Sequence, residues 1–146
     1  MATHAEKRVL NHSPEQLFDL VADIERYPEF LPWCVGARIR SRRENVVVAD
    51  LIIGFKGIRE KFTSEVTLNR EIMRIDVVYR DGPFKYLNNH WIFKARPEGG
   101  CEIDFFVDFE FRSRLLQKVI GMLFNEAVRR MVEAFEMRAD RLYGRG

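Results

Sequence analysis

The stretch Leu115-Leu-Gln-Lys-Val-Ile-Gly-Met-Leu-Phe-Asn-Glu-Ala-Val-Arg-Arg-Met-Val-Glu-Ala-Phe-Glu-Met-Arg-Ala-Asp-Arg-Leu142 decides how this chain is read. Leu116, Val119, Ile120, Leu123, Ala127, Met131, Ala134 and Phe135 recur at spacings that place them on one face of a helix. At helical rise, residues 115–142 extend about 42 Å. A compact domain of this length has a radius of gyration of about 15 Å, so such a helix crosses the whole molecule. Leu115, Met122, Val128 and Val132 widen its apolar stripe beyond what contact with a flat sheet requires. Gly121 costs about 1 kcal/mol relative to alanine in mid-helix, which predicts close packing or a bend there.

Upstream, from Val35 to Phe111, the hydrophobic period changes from helical to two. Segments near 35–42, 45–55, 58–70, 72–79, 86–96 and 101–111 read as strands. Asp81-Gly82-Pro83 and Glu98-Gly99-Gly100 are turn sequences, and the short connections favour hairpins, hence an antiparallel meander. Phe105, Val107, Phe109 and Phe111 share one face of the last strand, with Asp108 and Glu110 on the other. Residues 3–10 suit a first edge strand. A helix follows, with Ser13 as N-cap, Pro14 at its first position and Gln16 at the capping-box position. Leu17, Phe18, Leu20, Val21 and Ile24 form its buried face, and Pro28 and Pro32 end or break this helical region.

The resulting class is α+β: a curved antiparallel sheet wrapped around a long C-terminal helix, with short helices after the first strand. A rod laid across a curved sheet touches it well only at its ends. The space in the middle is filled either by large side chains or by a ligand, and 12 Phe and 2 Trp suit both.

The bulk properties bound the rest. The chain has 146 residues, of which 47% are hydrophobic and 32% charged, enough for one real core and one domain over 1–146. No run approaches a membrane span, and Met1 to Val9 lack the apolar centre of a secretory signal, so a cytoplasmic location is expected. Cys34 and Cys101 have no metal-ligand spacing and read as reduced structural thiols. His4, His12 and His90 share no ligand spacing, and no nucleophile elbow or phosphate loop occurs. An acid/base pair assembled from separate strands, such as Asp76 with His90, is the one enzymatic arrangement to check. Net charge is +2, but residues 112–146 hold eight Lys/Arg against four Asp/Glu. That basic end suits anionic head groups, RNA or a plain solvated face.

Four stretches carry a family resemblance: Tyr27-Pro-Glu-Phe-Leu-Pro-Trp-Cys34, Gly82-Pro-Phe-Lys-Tyr-Leu-Asn-Asn-His-Trp-Ile-Phe93, Phe109-Glu-Phe-Arg-Ser113 and Val132-Glu-Ala-Phe-Glu136. Together they resemble the coenzyme Q-binding branch of the START-like (helix-grip, Bet v 1-like) superfamily, over nearly the whole chain. That branch includes ubiquinone chaperones and bacterial ribosome-association toxins. The chain departs from it at Arg114, where relatives usually carry a proline at the start of the last helix.

The resemblance implies an apolar cavity under the C-terminal helix. Its ligand-facing set would be Tyr27, Phe30, Leu31 and Trp33 from the loop, and Val119, Leu123, Met131 and Phe135 from the helix. Phe55, Phe62, Val77, Trp91, Phe93 and Phe109 would form the floor. The expected ligand is ubiquinone or another isoprenoid lipid, with no cofactor required and with Tyr79, Tyr86, Asn88 or His90 as candidate partners of its carbonyls. The loop Tyr27–Trp33 is the candidate gate. Such a carrier would support respiratory electron transport without reacting with its cargo, and would be cytoplasmic or peripheral at the inner membrane, with transient membrane-surface contact. The alternative is docking on the large ribosomal subunit through Arg112, Arg114, Lys118, Arg129 and Arg130, blocking subunit joining.

Overall fold

The computed structural model describes residues 2–55 and 57–144; the side chains of Ala2 and Phe55 lie outside that description. Seven strands, β1 (Ala2–Leu10), β2 (Cys34–Arg43), β3 (Val46–Phe55), β4 (Ile58–Asn69), β5 (Arg74–Asp81), β6 (Phe84–Ala95) and β7 (Cys101–Phe111), form one antiparallel sheet. Their order is β1-β7-β6-β5-β4-β3-β2, so β2 to β7 make a continuous meander and β1 adds at the far edge. The expected strands are all present. Register shifts within β2, between Thr63 and Ser64, and between Phe84 and Tyr86 bend the sheet locally.

The helix α1 (Pro14–Ala22) starts as expected: Gln16 N–H donates to Ser13 Oγ and Ser13 N–H to Gln16 Oε1, a complete capping box. It stops at Ala22, well before Pro28, because Asp23 leaves the helical basin with φ −86° and ψ 69°. The chain then re-coils as a 3-10 segment, Ile24–Glu29, that contains Pro28. Pro28 therefore sits inside a tight turn, and only Pro32 lies beyond the helical region.

The last helix, α2 (Arg114–Tyr143), is 30 residues long, about 45 Å at helical rise. Ser113 caps it, accepting from Leu116 N–H at 3.2 Å, while Gln117 Oε1 accepts from Phe111 N–H at 2.7 Å. The cap geometry holds with Arg114 as the first helical residue. Toward its C-terminus, α2 is tied down by Arg8–Glu136 at 3.1 Å, Glu29–Arg138 at 2.7 Å and His12–Asp140 at 2.8 Å. The cap at one end and these ties at the other hold the helix, and the segment between them bridges the concave sheet face.

Hairpin turns fix the register. Gly82 joins β5 to β6 at φ 143°, and a Cβ there would stand 2.6 Å from the Cβ of Phe62, so only glycine fits. Gly121 has no such reason: a Cβ built on it meets nothing within 4 Å, and the residue is exposed, so the expected close packing is absent.

Candidate functional site

Between the concave face of the sheet and α2 lies a cavity of about 310 Å³. That is far above the roughly 10–15 Å³ a cavity needs to admit one water molecule. Its lining contains no acidic, basic or imidazole side chain among the described residues. Water is poorly held by such walls, so the interior is shaped for an apolar occupant.

Alternation along the strands places the floor. Phe62 on β4, Val77 on β5, Trp91 on β6 and Phe109 on β7 line the cavity as expected. Leu51, Ile53 and Phe84 join them. From α2, Leu123, Met131 and Phe135 face inward, together with Ile120, Phe124, Ala127 and Val128. From the loop, Tyr27, Leu31 and Trp33 reach the cavity.

Three expected contacts differ, and the fourth residue not seen in the lining is untested. Phe93 is buried, but α1 covers that end of the concave face, and the Phe18 ring packs on Phe93 at 5.8 Å. Phe30 lies outside the lining, against Phe135 at 5.1 Å and under the Arg138 guanidinium at 5.2 Å. Val119 is half-buried beside the inward face, one helical step of about 100° from Ile120, which takes the inward place. Phe55 ends β3, and its side chain is outside the described residues. The widened stripe on α2 also needs correction, because Leu115 and Met122 are 72% and 80% exposed and point to solvent.

The polar groups are not those expected. Asn89 and Trp91 point inward, so Asn88 and His90, one residue out of phase, lie on the outer face, where His90 stacks on Phe106 at 5.2 Å. Tyr86 lies outside the lining as well. Tyr79 is also absent from the lining, its hydroxyl accepting from Phe84 N–H at 3.2 Å. Asp76 pairs with His90 across β5 and β6 on that outer face, where Arg74 Nε donates to both Asp76 oxygens at 3.1 and 3.0 Å. The candidate acid/base pair therefore stands away from the cavity. The lining residues that carry polar side-chain atoms are Ser64, Asn89, Tyr27 and Cys34, with the indoles of Trp33 and Trp91. Burial, helped by nearby Cys34 and Asp23, holds the Tyr27 phenol far above its ordinary value, and its O–H donates to the Val21 carbonyl. Burial also raises the Cys34 thiol, although its hydrogen bond to Gly36 opposes this, and it pushes Cys101 up to about 11. Both thiols are therefore neutral at physiological pH and poor nucleophiles.

One side of the cavity is closed by the 3-10 segment. Tyr27 meets Phe135 edge-on at 5.5 Å, and Arg138 Nη2 donates to Glu29 Oε1 at 2.7 Å across the outside. The expected gate is thus clasped to α2 by one aromatic cluster and one exposed ion pair. The hydrogen bond from Arg138, assisted by Arg26, holds the Glu29 carboxyl below its ordinary value despite some desolvation.

A curved antiparallel sheet gripping a long C-terminal helix, with an apolar chamber between them, defines the helix-grip, START-like class of fold. The chain belongs to the family described as polyketide cyclase/dehydrase and lipid transport, whose model matches residues 10–136. It is 42% identical over 142 residues to the ribosome association toxin RatA of Rickettsia prowazekii, covering 95% of this chain and 97% of that one. It is 37% identical over 147 residues to the mitochondrial coenzyme Q-binding protein COQ10 homolog B of Xenopus laevis, covering 97% of this chain but 59% of that protein. The solution structure of an 18 kDa protein from Caulobacter crescentus is 36% identical, covers 99% of both chains and superposes with a TM-score of 0.82. The named relatives are a toxin and a binding protein, not enzymes, although the family description includes cyclases and dehydrases.

Proposed function

We propose that the protein is a non-catalytic carrier or chaperone for ubiquinone or a similar isoprenoid lipid, supporting respiratory electron transport. The observation that carries this reading is the cavity lining, which is apolar and free of charged groups among the described residues. An isoprenoid tail gains about 25 cal/mol for each Å² of apolar surface removed from water, whereas a charged ligand head would be left unpaired there. Such a carrier works in the cytoplasm and at the face of the inner membrane, and no helix among the described residues is long and apolar enough to cross it. The likeness to a coenzyme Q-binding relative supports the choice of ligand. Mass spectrometry of lipid extracted from protein purified without detergent tests it: a stoichiometric isoprenoid quinone is expected, and protein that is empty and also rejects added quinone contradicts it.

A second reading has its own observation. Arg112, Arg114, Lys118 and Arg129 are exposed, and none of them forms an ion pair among the described residues, whereas Arg130 is paired with Glu126 at 3.0 Å. That surface suits phosphates of the large ribosomal subunit, in line with the toxin relative. Co-sedimentation with large subunits that falls steeply with salt supports it, and unchanged polysome profiles with no sedimentation at low salt contradict it.

A further inference from the structure

Two polar side chains, Ser64 and Asn89, interrupt the apolar floor of the cavity. Ser64 is 2% exposed, lines the cavity, and its hydroxyl forms no hydrogen bond among the described residues. Its cavity neighbours along β4 are Phe62 and Val66, and its cross-strand partners are Ala49 on β3 and Tyr79 on β5, whose hydroxyl is engaged by Phe84 N–H. A hydroxyl buried among apolar groups without a partner is costly, and the cost disappears when a ligand supplies the partner.

Asn89 is the other polar side chain of the floor. Its Nδ2 donates to the Phe106 carbonyl at 2.7 Å and its Oδ1 accepts from Trp91 Nε1 at 3.2 Å. Those two bonds fix the amide's orientation and leave one N–H and one oxygen lone pair unused. Asn89 is in register with Val77, and Val77 with Val66, two residues along β4 from Ser64. Two strand spacings across and two residues along place the two Cα atoms about 12 Å apart before sheet curvature draws the side chains together.

We infer that Ser64, with Asn89 two strands away on the same floor, is the head-group site of the cavity and selects a neutral ligand carrying carbonyl-type oxygen acceptors. The inference rests on the carrier reading and specifies the chemistry of its ligand. In that lining an ionised carboxylate or phosphate would find hydroxyl and amide groups but no counter-charge. A head group without oxygen would leave Ser64 unsatisfied, so tail burial alone does not use the site fully.

The test compares two probes with the same tail, decyl-benzoquinone and decylbenzene, by calorimetric titration of wild-type protein and of Ser64→Ala and Ser64→Cys. Removing the Ser64 hydroxyl should weaken quinone binding about three- to tenfold and leave decylbenzene within about twofold, the size expected for one neutral hydrogen bond. Ser64→Cys, which keeps the shape with a weaker donor, should fall between the two. Decanoate should bind more weakly than the quinone at pH 7. Equal losses for both probes, or no loss for either, overturn the role of Ser64 while leaving the carrier reading standing. Wild-type protein that binds neither probe overturns both.

Discussion

Replacing Ala127 by leucine should stabilise the ligand-free protein while blocking its ligand. Ala127 lines the cavity midway along α2, between Phe124 and Met131. Leucine adds three carbons, worth about 2.4 kcal/mol at about 0.8 kcal/mol for each buried methylene. Ordering the new side chain opposes this by about 0.5–1 kcal/mol, and the helix propensities of alanine and leucine are close. The net gain is about 1.5 kcal/mol, which for a chain of this length raises Tm by about 3–6 °C. Thermal and urea unfolding of lipid-free protein measure it directly. Quinone binding to the same variant should weaken at least about tenfold, because the added carbons occupy the ligand's space. A Tm that falls, as overpacking of a filled core costs about 1–3 kcal/mol, would refute the premise that this volume is empty without a guest.

Three further outcomes are expected. Glu29→Gln removes the clasp between the 3-10 segment and α2, so amide exchange should speed up across Tyr27–Trp33 and not in β6; a matching pH effect appears in wild type as pH falls through the depressed Glu29 value, below the usual carboxylate range near 4. Asp50 is 5% exposed, and although burial by itself would raise its carboxyl, bonds from Thr63 Oγ1 at 2.5 Å and Arg40 Nε at 2.7 Å lower it. It therefore contributes stability above its unfolded pKa that is lost as pH falls through the lower folded value, so Asp50→Asn should cost about 1–3 kcal/mol at pH 7 in urea unfolding, with the gap to wild type closing below about pH 4. Arg114→Pro should stabilise by about 0.5–1 kcal/mol in the same assay, since proline suits the first helical position and the substitution removes a cation from the positive end of α2.

Strand identities and the helix cap were legible because period-two alternation and turn residues are local signals, and the hairpins needed no long-range information. Which apolar residues meet a ligand was less legible, because a face can be read from spacing while its covering element cannot. Phe93 shares the inward face with Trp91, but only the packing of Phe18 shows that α1 closes that end. Phe30 belongs to the same aromatic loop as Tyr27, yet it braces Phe135 from outside. The polar groups were readable in part: counting by two from Trp91 selects Asn89 over Asn88 and His90, and counting from Phe62 selects Ser64. Phe124, four residues beyond Ile120, carried the same kind of signal on α2. Leu115 and Met122 show the opposite error, since apolar identity alone did not say which way they point.

The chain has two tryptophans, Trp33 and Trp91, and both line the cavity. In a Trp33→Phe variant the remaining fluorescence reports from the chamber itself, and decyl-benzoquinone is a quencher at contact range. An apolar guest between the sheet and α2 predicts saturable quenching of Trp91, with one site per chain and loss of the signal in Ala127→Leu. Quenching that rises linearly with quinone, as it does for free tryptophan in solution, would contradict it.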